Sequence, residues 1–325
     1  MTKPAGCSRK IPKTAFARKV SAGAAVLCLC TAGLAGQAPK RSTESPQGRI
    51  RVDVNLTSVL TSVLDAKNRP VPDLPKEAFE IYEEGVKQKV EIFERETSQP
   101  LDLVLMIDSS LSTMKELEFE LTASAQFVRQ VVRPGDRLAV FQLSETVTQL
   151  SSFTDNVTNL QAAIRGVQQG AATALYDGVY LGGRALARQP VGRRRVIVLV
   201  TDAGETASDA TFESAREEAV KAEALLYTIL IRAVKNENGR NTRGEHALIN
   251  IADLTGGAMY PADTAAELTA IFDRVDRELR TQYRLAYYPT PRPAPRTFRK
   301  IEVRLASEAA NYTLRHRRSY YSGEE

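Results

Sequence analysis

Asp108, Ser110 and Ser112 stand at alternate positions directly after a wholly apolar run, Leu103 to Ile107. One carboxylate and two hydroxyls in this spacing are hard oxygen donors that could converge on a cation such as Mg²⁺, which takes about six oxygens at about 2.0 to 2.1 Å and keeps several waters. The same residue types serve equally as caps of a following helix. Two further segments bear on the choice. Thr173 lies in the stretch QQGAATA, Gln168 to Ala174, and Thr201-Asp202 closes a second apolar run, Val196 to Val200. If hydroxyls bind the ion directly and carboxylates act partly through water, the ion stays under-neutralised and attracts an anionic ligand.

Those donors need a scaffold that brings them together. The runs Leu103–Ile107, Leu138–Leu143, Val196–Val200 and Tyr227–Ile231 have the continuous apolar character of strands buried on both faces. Between them, Leu117, Leu121, Val128 and Val132 fall at helical spacing, as do Leu175, Val179 and Leu186, and then Ala215, Ala219, Ala222 and Leu226. Residues 235–245 read as a polar loop, 247–254 as a helix, and Leu268, Ile271, Phe272, Val275 and Leu279 as one face of a last helix. Strand and helix alternating from 101 to 281 predict a doubly wound, mostly parallel α/β sheet. Ligands of such sheets sit outside the carboxyl ends of the strands, so Asp108 and Asp202 would face one crevice.

Both flanks follow a different pattern. Val59, Thr61 and Val63 alternate, Phe79 to Tyr82 and Val90 to Phe93 read as a hairpin about Glu84-Gly85, and Tyr283, Leu285 and Tyr287, then Ile301, Val303 and Leu305, alternate again. The two flanks are predicted to pair into one small antiparallel β unit from which the α/β domain emerges. The expected divisions are a leader or anchor at 1–38, a linker at 39–49, a β segment at 50–98, the α/β domain at 99–281 and a second β segment at 282–325.

The leader reading rests on six basic residues between Lys3 and Lys19, followed by the small and apolar run Ala22 to Gly36, the layout of a secretory signal. Cleavage after Ala35 or Ala38, or retention as an anchor, both fit. A lipoprotein signal does not, because Leu27 and Leu29 precede Cys28 and Cys30. The whole chain has a formal net charge of +5, but removing 1–38 leaves 38 basic against 39 acidic residues, so the charge balance gives no ground for nucleic-acid binding. Cys7, Cys28 and Cys30 all lie in the leader, so an exported mature chain has no thiol and no disulfide. The expected location is the periplasm, the cell surface or the medium, with membrane contact only through an uncleaved leader.

The D-x-S-x-S of Asp108, Ser110 and Ser112, the segment Thr173-Ala174-Leu175-Tyr176-Asp177 and the strand end Thr201-Asp202 together resemble the von Willebrand factor type A domain and its metal-ion-dependent adhesion site. The flanks resemble those of a bacterial secreted subgroup. The resemblance implies a Rossmann-like fold, ligation of Mg²⁺ (or Mn²⁺ or Ca²⁺) by Ser110, Ser112 and Thr173 with Asp108 and Asp202 direct or through water, and a sixth position filled by a Glu or Asp carboxylate of a protein partner. It also associates ligand engagement with movement of the last helix. Two departures stand out: Ala172 replaces a common glycine before the threonine, and Asp202 is followed by Ala203-Gly204-Glu205 where Gly-Glu-Asp is usual.

The same residues admit other readings. A serine hydrolase needs a histidine beside its nucleophile, yet only His246 and His316 exist and no G-x-S-x-G elbow appears. An aspartyl-phosphate enzyme wants a second carboxylate where Ser110 stands, and no phosphate-cradling loop is present. A third alternative is a structural part of an envelope assembly in which the ion only supports the fold. Asp177 is expected to make structural hydrogen bonds, Glu205 to be a solvated loop residue, and Arg193 to Arg195 to lie on the surface opposite the ion.

Overall fold

The computed structural model describes residues 56–95, 98–110, 117–232, 241–306 and 311–323. The leader, the linker and Ser112 lie outside the described residues.

The chain begins in strands: β1 (Thr57–Leu64), β2 (Phe79–Glu83), β3 (Val86–Gln88) and β4 (Ile92–Glu94). The α/β part follows as β5 (Leu101–Asp108), α1 (Leu117–Val131), β6 (Arg137–Leu143), β7 (Val147–Gln149), α2 (Val157–Arg165), α3 (Leu175–Ala187), β8 (Arg194–Thr201), α4 (Phe212–Lys221), β9 (Ala224–Ile231), α5 (Thr242–Thr255), β10 (Ala258–Ala262) and α6 (Ala265–Arg280). Strands resume with β11 (Tyr283–Tyr287), β12 (Phe298–Leu305), β13 (Thr313–His316) and β14 (Ser319–Tyr321).

The central sheet runs β10-β9-β8-β5-β6-β7, parallel throughout except for β7. β5 is buried along its whole length, and the pleat sorts its apolar side chains. Leu101, Leu103, Leu105 and Ile107 join the core beneath α1, α2 and α6, whereas Val104 and Met106 join the core beneath α3, α4 and α5. Phe127 of α1 stacks on Phe272 of α6 at 4.5 Å between ring centres, closing the first layer. Strand order reverses at β5, whose neighbours are β6 on one side and β8 on the other. The switch point of the doubly wound sheet therefore falls between the carboxyl ends of β5 and β8.

The flanks form two further sheets, β13-β1-β11-β4 and β14-β12-β2-β3. Chain segments before and after the α/β part interleave in both: β1 pairs with β11 and β13, and β2 pairs with β12. Their inner faces share one core containing Val59, Val63, Phe79, Ile81, Tyr283, Leu285, Tyr287, Ile301 and Val303. This is a small antiparallel sandwich, as the fold reading from sequence anticipated. All described residues fall within one compact unit, 53–325.

Several local expectations change. The hairpin partner of β2 is β3, directly after the Glu84-Gly85 turn, where Glu84 and Gly85 both take positive φ (49° and 79°). Ile92–Glu94 crosses instead to the other sheet and pairs with β11, because its apolar residues are needed across the sandwich. The polar stretch 235–245 gives way to helix at Thr242, where the Asn241 side chain accepts a hydrogen bond from Gly244 N and caps α5. Edge strands β7 and β14 were too short to show a period.

Arg194 is the clearest correction, since it is buried rather than superficial. Its guanidinium donates to the carbonyls of Gln99 and Leu279, the latter at the end of α6, where a cation suits the helix dipole. Two buried carboxylates show one repeated solution to charge burial. Glu278 on α6 accepts hydrogen bonds from Tyr227, Tyr260 and Arg315, while Glu83 on β2 accepts them from Tyr287, Tyr320 and Arg299. The first of these ties the α/β layer to β13.

Candidate metal centre

Asp108 is the last residue of β5 and is fully buried. Its Oδ2 accepts a 2.6 Å hydrogen bond from Thr201 Oγ1 at the end of β8, and its Oδ1 accepts from Ser110 N at 3.0 Å and Thr173 Oγ1 at 3.3 Å. The Ser110 hydroxyl reaches the same carboxylate. Burial nevertheless raises the Asp108 carboxyl to about 6, and the nearby negative charge of Asp202 adds to that rise, against the lowering effect of these donors.

Three loops are tied to one another around this carboxylate. Ser109 N donates to Leu143 O, and Gly170 N donates to Ser109 O at 2.8 Å. Thr173 N donates to Thr206 Oγ1 at 3.0 Å, while Thr206 N and Ala207 N donate back to Thr173 O. Asp202 Oδ1 accepts from Gly204 N at 2.8 Å. A methyl group placed on Gly204 would lie 3.0 Å from Asp202 Oδ1 and 3.5 Å from Thr173 Oγ1, so those two oxygens border the same small space.

The structure thus gathers Asp108, Ser110, Thr173 and Asp202 from the three predicted loops. Ser112 lies outside the described residues. Among the described residues, no group of three or more His, Cys, Asp or Glu side chains could hold a metal by itself. The donors present, two carboxylates and hydroxyls, are hard oxygens that suit Mg²⁺ or Ca²⁺ and offer nothing to soft metals. A buried carboxyl facing a second carboxylate is also an electrostatic arrangement that a cation relieves.

Ala203 carries the turn after Asp202 in the left-handed region, at φ 63°, the conformation a glycine would take there without strain. It is fully buried, and a Cβ on Gly244 of α5 would overlap its carbonyl oxygen, so α5 presses directly on this loop.

Glu205 departs from the solvated role expected of it. Its carboxylate accepts from Tyr176 N, Ser208 N and Ser208 Oγ at 2.7 to 3.0 Å, so it satisfies the first turn of α3 and holds the loop inward. Asp177 makes the structural bonds expected of it, accepting from Asp209 N and Ala210 N. Thr201 and Thr206 were missed as supporting residues. A threonine ending an otherwise apolar buried strand was a signal for the first; Thr206, in a polar loop, gave none.

Residues 103–205 match the family described as the von Willebrand factor type A domain. This part of the chain is a type A domain. No curated protein sequence matches the chain. Solved structures similar to it include a von Willebrand factor type A protein from Catenulispora acidiphila, at 11% identity over 85% of this chain and 76% of that one, with a TM-score of 0.48. BatB from Bacteroides thetaiotaomicron is similar over 55% of this chain and 98% of its own, at 13% identity and a TM-score of 0.43. The vWF domain of the type V pili tip protein Mfa5 from Porphyromonas gingivalis covers 56% of this chain and 95% of its own, at 16% identity and a TM-score of 0.44. In the type A domain of this chain, the matched segment spans β5 to the loop after β8, which contains every described donor.

Proposed function

We propose that the chain is an exported, non-enzymatic protein-binding module whose type A domain holds a divalent cation at Asp108, Ser110, Ser112, Thr173 and Asp202. The observation that supports this most directly is the convergence of the buried Asp108 and Thr173 and the half-buried Asp202 from three separate loops onto one spot. When bound, the cation supplies a strong local positive charge for a carboxylate of the partner. The protein's own residues orient that site: Thr201 fixes the Asp108 carboxylate, Thr206 holds the Thr173 loop, and Glu205 holds the 202–208 turn against α3. A cleft of about 610 Å³ bordered by Tyr176, Glu205, Phe212, Arg243 and His246 adjoins that turn and offers mixed aromatic and charged contacts to residues flanking the partner's acid. No helix among the described residues is long and apolar enough to cross a membrane.

Melting curves with and without MgCl₂ test the reading. Mg²⁺ at about 100 times its dissociation constant stabilises a one-site protein by about 2.7 kcal/mol. The expected outcome is a higher melting temperature, reversed by EDTA and absent in Asp108→Ala. An unchanged wild-type curve overturns the metal site. Turnover of phosphate esters abolished by Asp108→Ala would replace the binding reading with an enzymatic one, and partner capture that survives both EDTA and Ser110→Ala would reduce the ion to a fold element.

A further inference from the structure

The triple arginine at the start of β8 stands at the end of the sheet opposite the metal centre. It borders a cleft of about 240 Å³ between the type A domain and the sandwich, completed by Arg284 of β11, Arg317 just after β13 and Glu223 before β9. Three of these five cations have carboxylate partners: Arg193 Nε lies 2.8 Å from Asp102, Arg284 Nη1 2.7 Å from Glu94, and Arg317 Nη1 2.5 Å from Glu223.

Among the described residues, Arg194 and Arg195 donate to carbonyls: Arg194 to Gln99 and Leu279, Arg195 to Ala222 and Gln189. Asp102 also holds Arg137, so one carboxylate serves two guanidinium groups, and the lining of the cleft carries an excess of positive charge. Arg194 is 3% exposed and Arg317 9%. The buried Nε atoms of Arg195 and Arg317 have no hydrogen-bond partner among the described residues. Burial, with Arg280 nearby, lowers the Arg194 guanidinium to about 10, against the opposing charge of Asp136. Buried guanidinium groups without a counter-ion are costly, and their planar forks match carboxylate and phosphate oxygens.

We infer that this cleft binds a compact dianion of the phosphate type, received by Arg194, Arg195 and Arg317 and opposed by Glu223. The volume suits phosphate itself or the head of a phosphomonoester, and its negative charges offset the excess. The inference is independent of the metal centre, because it uses none of the same residues and lies at the other end of the strands.

The test titrates the full chain with inorganic phosphate at pH 7.5 and matched ionic strength, following the melting temperature and calorimetric heat, with chloride and succinate as comparators. Phosphate is expected to raise the melting temperature beyond either comparator. Arg195→Gln is expected to weaken phosphate by about tenfold or more, the scale of a lost hydrogen bond to a charged group. Glu223→Gln, at a half-exposed position, is expected to tighten it severalfold by removing the opposing carboxylate, so the test survives if the arginine variant fails to fold.

Equal shifts with chloride, stronger binding of succinate, or phosphate affinity unchanged in Glu223→Gln overturns the proposal. Vesicles of phosphatidic acid, compared with phosphatidylcholine, separate the sources. Arg195-dependent binding to the former assigns a lipid headgroup, and its absence beside phosphate binding assigns the free ion.

Discussion

Thr201 shows how one hydroxyl can shape a site. It is fully buried, donates to Asp108 Oδ2 at 2.6 Å and accepts from Ala203 N at 3.0 Å, so it joins the carboxylate to the turn beside Asp202. Thr201→Val keeps the shape but removes the donor to a buried carboxylate, and is expected to cost about 1–3 kcal/mol in chemical denaturation. The same variant is expected to shrink the Mg²⁺-induced rise in melting temperature. Asp108, Ser110, Thr173 and Asp202 were legible in the sequence because polar residues at the ends of apolar strands are few and their spacing is distinctive. Glu205 and Thr206 were not, because their roles are hydrogen bonds between loops distant in sequence, and a polar loop residue looks the same whether it faces water or a neighbour.

At the scale of elements, α5 and β13 each carry a specific constraint. Since a Cβ on Gly244 would overlap the Ala203 carbonyl oxygen, Gly244→Ala is expected to push α5 from the turn after Asp202. The measurable result is a lower melting temperature together with a weaker Mg²⁺ response, while Gly192→Ala, which meets no neighbour but sits at a φ of 80°, costs stability through backbone strain and leaves the Mg²⁺ response intact.

His316 on β13 accepts from Val303 N through Nε2, so its Nδ1 carries the proton toward Arg317 O. Burial lowers this imidazole to about 4, with Arg318 adding to the effect. A folded pKa below the unfolded value of about 6.5 means that its stabilisation is complete above pH 6.5 and is lost as pH falls toward 4, by about 2–3 kcal/mol. Asp108 acts in the opposite sense: its folded value near 6 lies above the unfolded one, so acidification from pH 6 to 4 favours the metal-free fold through that group. Urea midpoints between pH 4 and 8 isolate the histidine, since His316→Gln is expected to remove the destabilising acid slope. Element types were legible wherever an apolar period ran for two turns or several strand residues. The three-residue strands β3, β4, β7 and β14 were not, because their pairing is decided by partners far along the chain.

On the scale of the whole molecule, the α/β domain, which contains the matched type A segment, sits as an insertion between β4 and β11. Its last helix is joined to the sandwich by Glu278, which accepts from Arg315 at 2.8 Å. Arg315→Met is expected to cost about 3–5 kcal/mol by leaving a buried carboxylate without its cation, and adding Glu278→Gln to recover much of that loss in a double-mutant cycle. The pairing of the two flanks was legible from their shared alternation on either side of the α/β part. The basic cleft was not, because an arginine run before a strand reads as surface until the sandwich is placed against it.

The position of β1 has a mechanical meaning as well. It lies between β11 and β13, antiparallel to both. Tension along that strand meets two ladders of lateral hydrogen bonds loaded together in shear rather than opened one at a time.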